Sequence, residues 1–249
     1  MIKAPKRPEK DKVIWRYMSL EKYLDFLLTK SIKFTQVSIA ADQLEISLML
    51  NRLEKNGSLV GKERILNGTN LHIDRMKKSH YISCWAGKEH ECRSLWFSYL
   101  GGSHLGVAVK TTVRQFLESV NWDVYGYDYR EVVYRDDFED PEELQINTTL
   151  LNAKARAYSS EDEIRFCVSE DLIKLPEGEF SSENPPVTID PETLPKVIPL
   201  ELNLESLVNE LWISPYCEDW QIDTIGEITC KLAPELRERM KRSDLNEWI

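Results

Sequence analysis

The chain has 249 residues, 42% of them apolar and 30% charged, with a formal net charge of −10 at pH 7. That is enough material for one large domain with its own core, while the acidic balance argues against a protein that wraps nucleic acid, which needs a basic surface to neutralise phosphates. No run of about 18 apolar residues is present and the opening MIKAPKRPEKDK has no apolar leader, so no membrane association, no export and a cytoplasmic location are expected.

Residues 1–12 mix Lys, Arg, Pro and Glu without periodicity and read as a disordered basic arm ahead of a single α+β domain over 13–249. VIWRYM reads as a strand, with Ile14, Arg16 and Met18 on one face and Trp15 and Tyr17 on the other. Ser19 is placed to cap a helix in which Leu20, Tyr23, Leu24 and Leu27 share a stripe. SIKFTQ is a short strand, and residues 40 to 55 read as a helix ending near Gly57. Residues 51 to 80 form a locally basic block, seven Lys and Arg against three acids, that is either a surface helix or a loop.

HYISCWA reads as a central strand, because aromatic and β-branched residues dominate it and Tyr81, Ser83 and Trp85 share a face. RSLWFSYLGG is a short helix stopped by glycine, HLGVAVKT a buried strand, and TVRQFLESV a helix packed after it. The aromatics from Trp122 to Tyr134 suggest one or two strands before the acidic stretch EVVYRDDFEDPEE. TTLLNAKARAY reads as helical and leads into YSSEDEIRF, where Glu161, Glu163 and Arg165 alternate with Asp162, Ile164 and Phe166, as on one face of a strand. A proline-rich surface excursion covers 170 to 195; KVIPLEL and ESLVNELWISP then return to the core. Ile222, Ile225, Ile228 and Leu232 mark a helix, and Pro234 opens another. Irregular alternation of strands and helices with short connections predicts a mixed, mainly antiparallel β core flanked by helices.

Five cysteines, Cys84, Cys92, Cys167, Cys217 and Cys230, are scattered and form no Cys-x-x-Cys pair, which predicts free thiols. No histidine or cysteine spacing matches a metal site, so no metal is expected, and YLGGSHLG lacks the Lys-Ser/Thr tail of a phosphate loop. The residues that stand out are Arg16, Ser83, Glu161 and Glu163, each on an expected strand beside aromatic residues. An arginine on an otherwise apolar strand requires an anion, since its guanidinium cannot be neutralised. That anion is either a carboxylate of the same chain, Glu161 or Glu163, or a phosphate-bearing ligand held in bidentate fashion.

The segments WRYMS, YISCWAG, SLWFSYLGGSHLGVAV, the set Lys154, Tyr158, Glu161, Glu163 and Arg165, and LWISPYCEDWQIDTIGEI resemble, in order, the pattern of the prokaryotic domain of unknown function 2971 family from about residue 13 to 232. Arg16, Ser83 and Glu161-Asp162-Glu163 also resemble, more distantly, the Arg, Ser and Glu-x-Glu pattern of the ADP-ribosyltransferase superfamily, although the middle triplet is Ser83-Cys84-Trp85 in place of Ser-Thr-Ser. The second resemblance implies an ADP-ribosyltransferase-like fold and NAD as candidate substrate. Arg16 would hold a phosphate or ribose, Ser83 would brace the pocket, and Tyr17, Trp85 or Trp96 would stack on a ring. Glu163 would steady positive charge as nicotinamide leaves, and Glu161 would orient an acceptor, protein or nucleic acid, that the sequence does not identify. The function so implied is ADP-ribosyl transfer or NAD cleavage, as in a toxin or phage-defence effector. Two alternatives stand beside it. One is a catalytically inactive binding or regulatory module in which Arg16, Glu161, Glu163 and Arg165 form a structural ion network; the other is a nucleic-acid-acting effector using residues 51–80.

Overall fold

The computed structural model describes residues 5–40, 71, 73–101, 103–134, 151–174 and 186–245. The expected helix over 40–55 with its Gly57 end, all of the basic segment except 71 and 73–80, and the acidic stretch beyond Tyr134 lie outside the described residues, Ala40 apart.

The strand β1, Val13–Ser19, starts the sheet, because its alternating bulky residues find cores on both sides. Ile14 and Met18 enter the main core, while Trp15 and Tyr17 join Leu95, Trp96 and Trp212 in a second cluster. Helix α1, Leu20–Thr29, follows at once, burying Tyr23, Phe26 and Leu27. Ser19 holds the N-cap position, but its hydroxyl makes no capping bond. Lys30, in the left-handed conformation at φ 46°, turns the chain into β2, Ser31–Gln36, and the short helix α2, Val37–Ala40.

Residues 73–79 are helical and lead into β3, His80–Ala86. Helix α3, Arg93–Leu100, ends at Gly101, whose φ of 58° suits glycine. Next come β4, Gly106–Thr112, and α4, Val113–Ser119, capped by the Thr112 hydroxyl. A Cβ at position 106 would lie 2.6 Å from the Met18 carbonyl oxygen, so only glycine lets β4 approach the end of β1. Then follow β5, Tyr127–Glu131; β6, Val133–Tyr134; β7, Ala153–Lys154; and β8, Glu163–Ser169. The excursion after β8 carries a small hairpin of β9, Ile173–Lys174, and β10, Val187–Thr188. The chain closes with β11, Val197–Glu201; α5, Leu204–Leu207; β12, Glu210–Ile213; α6, Asp219–Leu232; and β13, Met240–Arg242.

Among the described residues nine strands join in one sheet, antiparallel except for the β12–β13 pair. It divides into two halves. One half runs β11–β2–β3–β8–β5; the other runs β1–β4–β12–β13. They meet at one register position, Trp15 opposite Ala86, whereas β1 pairs with β4 at all seven positions from Val13 to Ser19. Helix α1 bridges the halves, and the Tyr23 hydroxyl meets that of Thr229 on α6 at 2.8 Å in the core. The main core packs Trp85, Phe116 and Phe166 with Tyr23, Leu207 and Ile225.

Two expectations are corrected. Residues 5–12 are not a disordered arm: the carbonyls of Lys6, Lys10 and Lys12 accept backbone N–H bonds from Glu131, Arg114 and Val113, and Arg7 pairs with Asp128. The TTLLNAKARAY segment is not one helix either. Among its described residues 151–152 alone are helical; Ala153–Lys154 pairs with Val133–Tyr134, and Arg156–Glu161 forms a 3-10 turn. No helix among the described residues is long and apolar enough to cross a membrane.

Candidate functional site

Asp162, left-handed at φ 44°, ends the 3-10 turn and starts β8 at Glu163. The expected alternation therefore holds from Glu163 to Arg165 on one strand face, but Glu161 is outside the strand. The Arg165 guanidinium donates from Nε to Glu163 Oε1 at 2.6 Å and from Nη2 to Oε2 at 3.3 Å, while its Nη1 reaches the Leu151 carbonyl at 2.8 Å. Lys154 arrives on β7 and places its Nζ 2.7 Å from Glu163 Oε2 and 2.8 Å from Glu161 Oε2, with the Tyr158 ring centroid 5.2 Å away. Tyr134, on β6, accepts the Glu163 backbone N–H at 2.7 Å. The parallel β6–β7 pair thus delivers a tyrosine and a lysine to the first residue of β8.

Burial differs sharply along this chain of charges. The side chains of Glu163 and Arg165 are 3% and 4% exposed, Lys154 11% and Glu161 26%. Burial alone would raise the Glu163 carboxyl, but the Arg165 and Lys154 charges outweigh it and hold the group well below the usual carboxylate range. Burial pulls the Lys154 ammonium down, and the Glu163 charge more than restores it. The Cys84 thiol, next to Glu163, is pushed up to about 12 by burial.

Arg16 does not join this network. Its Nη1 donates to the backbone carbonyl of Cys84 on β3, across the place where the half-sheets have parted. Past the Trp15–Ala86 junction that carbonyl faces no strand partner on the β1 side, so the guanidinium fills a ladder position that the split leaves open. Among the described residues no carboxylate lies within ion-pair distance of Arg16, so the expected pairing with Glu161 or Glu163 is not formed. Tyr99, on α3, completes the surroundings. Its half-buried ring stacks on Tyr17 at 6.1 Å with 24° between planes, and burial raises its hydroxyl, which lies in the fields of Cys84, Arg16 and Glu163. Sequence reading passed over Tyr99, whose signal was its place three residues after Trp96 on a helix over the first strand.

The other expected site residues belong to cores. Ser83 is 1% exposed and its hydroxyl accepts the Trp85 indole N–H at 3.1 Å. Trp85 packs edge-on against Phe116 at 5.0 Å, and Trp96 packs edge-on against Tyr17 at 4.9 Å while donating to Glu91. Tyr17 accepts the Cys92 backbone N–H at 2.9 Å. The expectation that Tyr17, Trp85 or Trp96 offers a face to a ligand ring is corrected: all three are at most 2% exposed. Glu163 is likewise enclosed, and of the two acids Glu161 is the one solvent reaches.

A cleft of about 1000 Å³ opens beside Asp162, lined among others by Lys12, Gly87, Lys88, His90 and Glu131. Lys12 bridges its floor, 3.1 Å from Glu131 and 3.9 Å from Asp162. A Cβ at position 87 would come within 2.8 Å of the flexible end of the Lys12 side chain. Among the described residues no group of three His, Cys, Asp or Glu side chains is placed to hold a metal ion.

Fold and site together define an α+β protein with a split, mainly antiparallel sheet, a buried ion cluster on one half and, at the split, an arginine that pairs with no carboxylate among the described residues. Comparison with known proteins returns no match to a family model, a curated protein or a solved structure.

Proposed function

We propose that this chain binds a phosphate-bearing nucleotide, with NAD as the candidate, and cleaves its nicotinamide N-glycosidic bond or transfers the ADP-ribosyl group. In this reading it belongs to the domain of unknown function 2971 family and has an ADP-ribosyltransferase-like fold. One observation carries the proposal: Arg16 is a half-buried guanidinium whose partner is a single backbone carbonyl, beside a cluster in which every carboxylate is already paired. Holding such a cation out of bulk water without a counter-charge is unfavourable, and a ligand phosphate supplies that charge in a geometry the guanidinium matches.

In the reaction the C1′–N bond breaks and its electron pair leaves with nicotinamide, which becomes neutral. The cationic ribosyl carbon then takes an electron pair from water or from an acceptor, which gives up a proton. Glu161, the reachable carboxylate, faces the developing charge, and Glu163 fixes it through the shared Lys154 ammonium. The roles first expected of the two acids are thereby exchanged in part. The test is nicotinamide release from NAD by wild type and by Glu161→Gln. Turnover by wild type and its loss in the variant, with an unchanged melting temperature, is the expected result; no release by wild type under any acceptor condition removes the enzymatic reading.

The enclosure of Glu163 favours one second reading, a catalytically inactive module whose ion cluster is structural. It predicts nucleotide binding without turnover, and a larger loss of stability in Glu163 variants than in Glu161 variants.

A further inference from the structure

We infer that residues 5–12 form a releasable strap across the split, which walls the cleft beside Asp162 and is held shut by ion pairs. The inference goes beyond the nucleotide reading and does not depend on it.

The strap is bonded to both halves of the sheet. On the β5 side the Lys6 carbonyl accepts the Glu131 N–H at 2.9 Å, the Pro5 carbonyl accepts from Arg130 Nη1 at 3.3 Å, and Arg7 meets Asp128 at 2.9 Å. On the other side the Lys10 and Lys12 carbonyls accept the N–H groups of Arg114 and Val113, at 2.7 and 3.1 Å, where β4 turns into α4. Asp11 pairs with Arg114 at 2.9 Å. Lys12 joins the two sets of anchors, because its carbonyl holds α4 while its ammonium lies 3.1 Å from Glu131 on β5.

These attachments are of a kind that opens locally. Of residues 5–12 Pro8 alone is buried, while Lys6, Arg7, Glu9, Lys10 and Asp11 are exposed, so apolar burial holds the segment weakly. Both side chains are at least two-fifths exposed in the Arg7–Asp128 pair (57% and 41%) and in the Arg114–Asp11 pair (46% and 81%). Pairs this open contribute little each and are screened by salt.

The strap supplies Lys6, Arg7, Glu9, Asp11 and Lys12 to the cleft of about 1000 Å³, and the loop from Gly87 to Cys92 forms the facing wall. That loop is fixed from behind: Gly87 N–H donates to the Asp162 carbonyl at 2.7 Å, the Lys88 carbonyl accepts the Trp15 indole N–H at 2.8 Å, and Cys92 N–H meets the Tyr17 hydroxyl at 2.9 Å. The strap is therefore the wall that moves. Ala86 stands opposite both Trp15 and Glu163, which puts the three on one face of the sheet. Val13 and Cys92, which line the cleft, pack against the aromatic cluster of that same face. Release of the strap thus opens the end of the sheet face on which Glu163 lies.

The experiment is residue-resolved amide hydrogen exchange on the full chain, wild type and Lys12→Met, at low and high sodium chloride. The Glu131, Val113 and Arg114 amides, which donate to strap carbonyls, report release; Val109, on a strand paired on both sides, reports the core. The three strap-bound amides are expected to exchange at least about tenfold faster than Val109 after correction for intrinsic rates. High salt and Lys12→Met should each speed all three together by about threefold, the size of one exposed ion pair, with Val109 and the melting temperature unchanged. Maleimide labelling of Cys92 should rise in parallel, while that of Cys230 on α6 stays as it was. Exchange of the three amides as slow as that of Val109, or rates indifferent to salt, would show a fixed part of the fold and overturn the inference. So would acceleration of Glu131 without Val113 and Arg114, which is fraying at one end. If Lys12→Met does not fold, the salt series on wild type decides alone.

Discussion

Arg165 and Glu163, two residues apart on the same face of β8, meet at 2.6 Å with both side chains almost wholly enclosed. Neither was selected for reach into solvent. Their pairing, extended by Lys154, turns one end of a strand into a fixed array of charge. Breaking it exposes the cost of burying ions: Glu163→Gln removes the buried carboxylate that Arg165 and Lys154 share and is expected to destabilise the protein by about 3–5 kcal/mol. That corresponds to a fall of roughly 6–20 °C in melting temperature for a domain of this size. A loss under about 1 kcal/mol by chemical denaturation would show that the cluster is solvated.

The same pair sets a pH dependence. Glu163 titrates lower in the folded chain than its unfolded value of about 4.3, so below that value the unfolded state binds the extra proton and stability rises with pH. Its contribution is complete above the unfolded value and is lost as pH falls through the folded one. The stability difference between wild type and Glu163→Gln should therefore stay constant from pH 7 to about 5 and shrink as pH falls below about 4.3. A difference independent of pH would contradict the charge assignment.

Trp85 distinguishes core from ligand platform. Its ring is enclosed by Phe116 and Phe166, so Trp85→Ala should cost about 3–5 kcal/mol through the cavity it leaves. Nucleotide affinity, measured well below the melting temperature, should be nearly unaffected. Selective loss of affinity with normal stability would restore Trp85 to the site.

Thiol chemistry reports on the closure of the split. Burial pushes the Cys84 and Cys167 thiols up to about 12, which keeps both protonated and unreactive at pH 8. Maleimide labelling followed by peptide mass spectrometry should find neither modified in the native protein and both modified in urea. Rapid native labelling of Cys84 would mean that the region around the Arg16 contact opens readily.

Much of the architecture could be read from local pattern. VIWRYM, HYISCWA and the apolar spacing of Ile222, Ile225 and Ile228 are each consistent in propensity and periodicity, and each element is found where expected. Local pattern failed where distant residues decide. The AKARAY stretch has helical spacing, but two acids capture Lys154 and β6 pairs with Ala153–Lys154, which overrides the weak preference. Alternation was extended one step too far at Glu161, because nothing in the sequence marks Asp162 as left-handed. β13 is three residues of which two are charged, and it exists because parallel pairing with β12 is available. The single-position contact between the half-sheets, and hence the isolation of Arg16, is a property of pairing between residues about 70 positions apart and leaves no local trace.

The central claim is that a ligand phosphate replaces the missing counter-charge of Arg16 at the split. A crystal structure of the chain with ADP-ribose tests this most directly. The account predicts diphosphate oxygens within hydrogen-bond distance of the Arg16 guanidinium, with Lys154 still joining Glu161 and Glu163. Ligand density elsewhere, with Arg16 bound to the Cys84 carbonyl alone, would contradict it.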